Sequence, residues 1–118
     1  MRREKLYLTD IVEAAESIHR FLTGVKRETF LQDDLLRSAV LQKLTIIGEA
    51  VARLPTEFRD RHPEIQWDDI IGFRNIAVHA YFAVEWPIVW VAATQEAPDL
   101  KREVADILAR EFADPTSS

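Results

Sequence analysis

The chain has 118 residues, no cysteine and a formal net charge of −5, with 15 Lys and Arg against 20 Asp and Glu. This length suits one domain, the lack of cysteine excludes disulfides and thiolate metal sites, and the acidity argues against a broad basic surface for nucleic acid. The longest apolar stretch, Pro87–Ala93, is far below the roughly 20 residues of a transmembrane helix, and no signal peptide is recognisable, so we expect a cytoplasmic protein without a membrane segment.

Helical periodicity dominates the first half of the chain. Apolar residues at three- and four-residue steps predict a first helix from Leu8 to Leu22, which ends at Gly24. A short turn from Thr29 leads into a second predicted helix, Asp34–Leu54, and Pro55 ends it. Within that helix, glycine 48 costs about 1 kcal/mol relative to alanine, which a close helix crossing would justify.

A connector separates this half from the next helix. The stretch Pro55–Gln66 is rich in turn residues and predicts a single helical turn at Thr56–Asp60. Its arginines, Arg59 and Arg61, suit a solvated surface, with contact to an RNA phosphate as the alternative. The following helix begins at Trp67, where two aspartates favour the positive end of the helix dipole.

Two further helices are predicted after Phe82. Pro87 is acceptable in a first helical turn, so one helix runs from Glu85 to Thr94, and Pro98 begins the last helix, which ends near Phe112. The tryptophans at 86 and 90 lie one turn apart and indicate core or interface packing. No segment alternates with period two.

These elements predict an all-α fold. We expect an up-and-down bundle of four long helices plus a short one, formed by residues 1–113 and followed by a polar tail at 114–118.

The segment Gly72–Phe82 concentrates polar chemistry among apolar spacers that resemble a core helix. Its functional groups are those of Arg74, Asn75, His79 and Tyr81. Burying such groups costs several kcal/mol unless partners are found, which favours a functional interpretation. At about 100° per residue, Asn75 and His79 share a helix face, whereas Arg74 lies about 140° from His79. We therefore expect the helix to end near His79, with the site at a subunit boundary.

The segment and its surroundings resemble a known family. The pattern Arg-x4-His-x-Tyr is similar to the signature of HepT-like toxins of the HEPN superfamily. Three further stretches between Lys5 and Leu108 follow in the order of that family: 46–50, 62–67 and 81–90. Many relatives carry glycine where this chain has Ala80, a small residue too.

The resemblance implies an all-α homodimer with its cleft at the interface. It also implies an RNA-cleaving toxin of a type II-like toxin–antitoxin system, neutralised by a partner minimal nucleotidyltransferase that adenylylates Tyr81.

The residues themselves suit metal-independent cleavage of RNA. His79 can exchange a proton with the ribose 2′-hydroxyl or the leaving 5′-oxygen, and Arg74 can neutralise the phosphate. Asn75 can orient His79 or bind a phosphate oxygen. Glu49 either reaches the motif as a supporting carboxylate or is an ordinary exposed glutamate. The motif supplies one histidine per chain, whereas cleavage needs proton transfer at both the 2′-oxygen and the 5′-oxygen. This favours a homodimer, which would supply two histidines.

Several alternatives remain open. Three scattered histidines without cysteine make a zinc site unexpected, and we expect no cofactor. The chain could instead be a non-catalytic subunit that binds a nucleotide or a partner enzyme. It could also be a structural bundle in which Arg74 and Asn75 cap helix ends and His79 is a core histidine.

Overall fold

The computed structural model describes residues 2–113, and the polar tail predicted at 114–118 lies outside the described residues. All regular structure within 2–113 is helical, which confirms the predicted all-α class. In chain order the elements are α1 (Arg2–Leu22), α2 (Arg27–Gln32), α3 (Asp34–Arg53), α4 (Thr56–Asp60), α5 (Trp67–His79), a 3₁₀ turn (Tyr81–Ala83), α6 (Trp86–Val91), a π-helical turn (Ala92–Glu96) and α7 (Ala97–Glu111).

Three helix pairs form the body of the bundle. Helix α1 packs against α3 and α7, and α3 also packs against α5. The predicted apolar stripes of α1, α3 and α7 supply the core, with fully or almost fully buried side chains at Leu8, Ile11, Ile18, Val40, Val51, Val104 and Ile107. Among the described helices, none combines the length and the apolar character needed to cross a membrane.

The N-terminal half departs from the prediction in two places. Helix α1 begins at Arg2 rather than Leu8, because its first turns are mostly solvent-exposed and therefore lack an apolar stripe. It ends before Gly24, whose φ of 76° is the left-handed conformation that favours glycine. The predicted turn from Thr29 is the short helix α2, which buries Phe30 completely.

The C-terminal helices, predicted as separate, are one continuous helix. The backbone keeps helical torsion angles through Val91, Ala92 and Ala97, and the amide of Ala97 donates to the carbonyl of Ala92, five residues back. Pro98 has no amide hydrogen and clashes with an ordinary α-turn, and the wider π turn immediately before it absorbs this conflict. Proline here changes the helical register without ending the helix.

Candidate active site

The site is built on a close crossing of α3 and α5. A Cβ atom added to Gly48 would lie 2.3 Å from the Cβ of Arg74 and 2.8 Å from its Cγ. Only glycine lets the two helices approach this closely, so the structure confirms the expected reason for a glycine inside α3. The crossing fixes where the side chain of Arg74 leaves α5.

The guanidinium of Arg74 is held by two neighbours. Its Nε donates to Oε1 of Glu49 at 2.7 Å, and its Nη2 lies 2.7 Å from the same oxygen. Its Nη1 donates to Oδ1 of Asn75, also at 2.7 Å. Glu49 therefore reaches the motif. These contacts engage three of the five N–H donors of the guanidinium, which leaves one on each Nη nitrogen, enough for a bidentate phosphate contact.

His79 is the last residue of α5 and is exposed. Its imidazole has no hydrogen-bond partner within residues 2–113. Asn75, one turn earlier, directs its oxygen to Arg74 and not to His79. Both imidazole nitrogens are thus open to a ligand, as proton transfer requires.

The chain changes direction directly after His79. Ala80 ends α5 with φ −140° and ψ 51°, and Tyr81 begins the 3₁₀ turn. The prediction that the helix ends near His79 is confirmed. Because φ at Ala80 is negative, the position has no need of glycine, so the departure from the family pattern carries no backbone strain.

The phenol ring of Tyr81 lies against other aromatic rings. Its centroid is 5.7 Å from that of Phe82 and 6.3 Å from that of Trp86, both edge-to-face. The guanidinium of Arg37 lies 4.9 Å from the Trp86 centroid. Sequence reasoning missed Arg37, which stands on another helix with no pattern linking it to the motif. Tyr81 is 45% exposed, and its hydroxyl has no hydrogen-bond partner in the described chain.

The motif segment is exposed, contrary to its core-like pattern. Of its apolar spacers only Ala77 is buried; Ile76 and Val78 are each 46% exposed, and Phe82 is 100% exposed. Helix α3 packs against one face of α5, whereas the side chains of Ile76 and Val78 on α5 remain exposed. Trp86 packs edge-to-face on Phe30 at 6.5 Å, which fits the packing role predicted for it. Ile88 and Val91 of the same helix are exposed as well.

The two connector arginines lie away from the motif. The backbone oxygen of Arg59 accepts a hydrogen bond from Nε1 of Trp67 at 3.1 Å, at the opposite end of α5 from His79, about 18 Å along the helix. Arg61 is engaged by Glu111 at 3.1 Å. No group of three or more His, Asp or Glu in residues 2–113 is placed to hold a metal ion.

Comparison with known proteins gives consistent matches. The sequence profile of the family described as ribonuclease HepT-like matches residues 11–107. A putative RNase of Caldanaerobacter subterraneus subsp. tengcongensis is 37% identical over 94% of this chain and 99% of its own. A probable ribonuclease HepT of Thermococcus cleftensis is 40% identical over 85% of this chain and 91% of its own. No solved structure matches significantly.

Proposed function

The chain belongs to the HepT-like family, and we propose that it is an RNA endonuclease whose catalytic residues are Arg74 and His79, with Asn75 as a positioning residue. The relatives named as ribonucleases support RNA as the substrate. The observation that carries the assignment is the geometry at the end of α5. There, an arginine with two uncommitted donors stands on the same helix as an exposed histidine without a partner.

The mechanism needs only side chains of this protein. The free donors of Arg74 bind the scissile phosphate and neutralise the charge that develops in the transition state. His79 accepts the proton of the 2′-hydroxyl or protonates the leaving 5′-oxygen. The 2′-oxygen attacks phosphorus and the bond to the 5′-oxygen breaks, which leaves a 2′,3′-cyclic phosphate. Asn75 holds Arg74 in the orientation that the fork requires.

A homodimer completes this site in our proposal. One chain supplies one histidine to the motif, whereas two motifs across a two-fold axis supply both an acid and a base. The exposed apolar side chains Ile76, Val78 and Phe82 flank the motif and favour burial against a second copy.

The catalytic assignment is tested by cleavage of RNA in the presence of EDTA. The substitution His79→Ala should lower the rate of RNA cleavage by about 10²–10⁴-fold, the usual contribution of acid–base catalysis. Arg74→Lys should also lower the cleavage rate severely, because an ammonium group cannot form a bidentate contact with the phosphate. The matched control is His19→Ala, which removes another exposed histidine, on α1, and should leave the rate unchanged. Cleavage that requires added magnesium, or survives His79→Ala, would refute the mechanism.

We further propose that the chain is a toxin neutralised by a nucleotidyltransferase that adenylylates Tyr81. The phenol oxygen attacks the α-phosphate of ATP and pyrophosphate leaves, which places a negative group beside the site and repels RNA. The 45% exposure of Tyr81, whose hydroxyl has no hydrogen-bond partner in residues 2–113, supports it as the acceptor.

Co-expression with a minimal nucleotidyltransferase, the proposed partner, tests this regulation. Wild-type protein should gain the mass of one adenylyl group (AMP less one water) at Tyr81, and growth should recover. Tyr81→Phe should stay toxic, whereas the control Tyr7→Phe on α1 should be modified and neutralised normally. Adenylyl groups mapped to other residues, or a neutralised Tyr81→Phe protein, would contradict the proposal.

A further inference from the structure

A concave surface lies between α5 and the continuous helix that α6 and α7 form, and it is lined by none of Arg74, Asn75, His79 and Tyr81. We call it the acidic groove. It encloses about 300 Å³, at the lower end of the range of ligand pockets. Its floor is apolar and comes from three helical segments, with Leu44 and Ile47 of α3, Ile70 and Phe73 of α5, and Ala92 and Leu100 of the helix opposite.

The rim of the acidic groove carries carboxylates and no positive charge. Glu64 and Asp69 stand on the α5 side, and Glu96, Asp99 and Glu103 stand on the α7 side, while no lysine or arginine lines the groove. Within residues 2–113, Asp99 pairs with Arg102 of the same helix, and Oε2 of Glu64 lies 3.6 Å from Nδ1 of His62. The carboxylates of Asp69, Glu96 and Glu103 have no hydrogen bond or ion pair with any residue of the described chain, so their charges are available to a partner.

The spacing of the rim carboxylates indicates an elongated occupant. Residues 96, 99 and 103 follow at steps of three and four along one helical face, so their row extends roughly 10 Å, about two helical turns. A row of this length matches positive side chains repeated at the same steps on another helix. A single small cation would use only one end of it.

We propose that the acidic groove binds a basic amphipathic helix of a partner protein. Apolar side chains of that helix occupy the floor, and its lysines and arginines pair with the two rims, as in other helix-in-groove complexes. RNA is repelled by the rim. A symmetric second copy would bring the same carboxylates face to face. Because α5 forms one wall and also carries Arg74, the partner contacts the helix of the candidate active site.

The test measures peptide binding to the full chain by fluorescence anisotropy. The probe is a fluorescein-labelled peptide with leucines along one helical face and lysines on both flanks. A scrambled peptide of equal composition and a peptide with glutamate in place of lysine are the controls. The doubly substituted variant Glu96→Gln/Glu103→Gln removes rim charge, and Glu13→Gln/Glu16→Gln removes equal charge from the surface of α1.

The basic amphipathic peptide should bind saturably, and added salt should weaken it. Both the Glu96→Gln/Glu103→Gln protein and the scrambled peptide should bind about tenfold more weakly, whereas the Glu13→Gln/Glu16→Gln protein should match wild type. Absence of saturable binding, equal binding of the scrambled or glutamate peptide, or indifference to the rim substitutions would overturn the proposal. So would peptide affinity that falls as protein concentration rises, since a second copy would then occupy the groove.

Discussion

At the scale of single residues, the geometry of the candidate site depends on a residue without a side chain. Gly48 allows α5 to approach α3, and Arg74 uses the space where a Cβ would stand. The ion pair with Glu49 and the hydrogen bond to Asn75 then hold the guanidinium in place. Backbone packing and charge pairing therefore act together on one arginine.

Substitution Gly48→Ala tests this dependence. The added methyl group forces the helices apart and displaces Arg74. Overpacking costs about 1–3 kcal/mol and alanine's helix propensity returns about 1 kcal/mol, so the free energy of unfolding should fall by up to about 2 kcal/mol. RNA cleavage should fall with it. The control Gly72→Ala adds a methyl group where nothing lies within 4 Å, and it should raise stability by up to about 1 kcal/mol in urea denaturation. Equal stability changes in the two variants would contradict a tight crossing.

The sequence predicted the members of this network better than their pairing. Residue types and spacing singled out Arg74 and Asn75, and the mid-helix Gly48 indicated a crossing. The partner of Asn75 could not be predicted, because its amide can serve an adjacent or a one-turn neighbour with similar geometry. The structure pairs it with Arg74, through the reach of the long arginine side chain.

At the scale of elements, the π turn joins α6 to α7 shortly before Pro98, which lies in the first turn of α7. Pro98→Ala restores a backbone donor and removes a ring that opposes α-helical packing, a conflict of about 3 kcal/mol in an ordinary helix. The π turn already relieves part of it, so we expect a gain of about 1 kcal/mol in the free energy of unfolding. Pro87→Ala is the control, since proline in the first turn of α6 sacrifices no helical hydrogen bond. A loss of stability in Pro98→Ala would show that the turn depends on proline.

Element boundaries were predictable where local chemistry decides them. Gly24 ends α1, and α4 and α5 occupy the expected ranges, because turn and capping residues act within a few positions. The joined α6 and α7 escaped prediction, since proline stops most helices and the sequence carries no sign of a π register. The exposure of α5 also escaped prediction. An apolar residue in the sequence does not show whether its own chain or a second chain buries it.

At the scale of the whole molecule, charge and apolar surface lie in different places. The C-terminal third carries most of the excess acid, and part of it lines the acidic groove opposite α5. Exposed apolar side chains flank the motif at Ile76, Val78 and Phe82. Under our proposals the two surfaces bind different partners, a basic helix at the groove and a second copy at the motif.

Phe82→Asp tests the proposed homodimer at its most exposed apolar residue. Phe82 is 100% exposed, so the substitution removes no core contact, and the folded monomer should persist. In a two-fold interface the change would place two carboxylates close together and remove two aromatic rings, so sedimentation velocity should show a monomer. RNA cleavage should fall in parallel with the dimer fraction, because a lone motif holds only one histidine for two proton transfers.

Leu6→Asp, at a residue of α1 that is 62% exposed, adds the same charge and should leave both dimer and activity intact. A wild-type protein that is monomeric at micromolar concentration, or a fully active Phe82→Asp monomer, would mean that one chain carries the whole site.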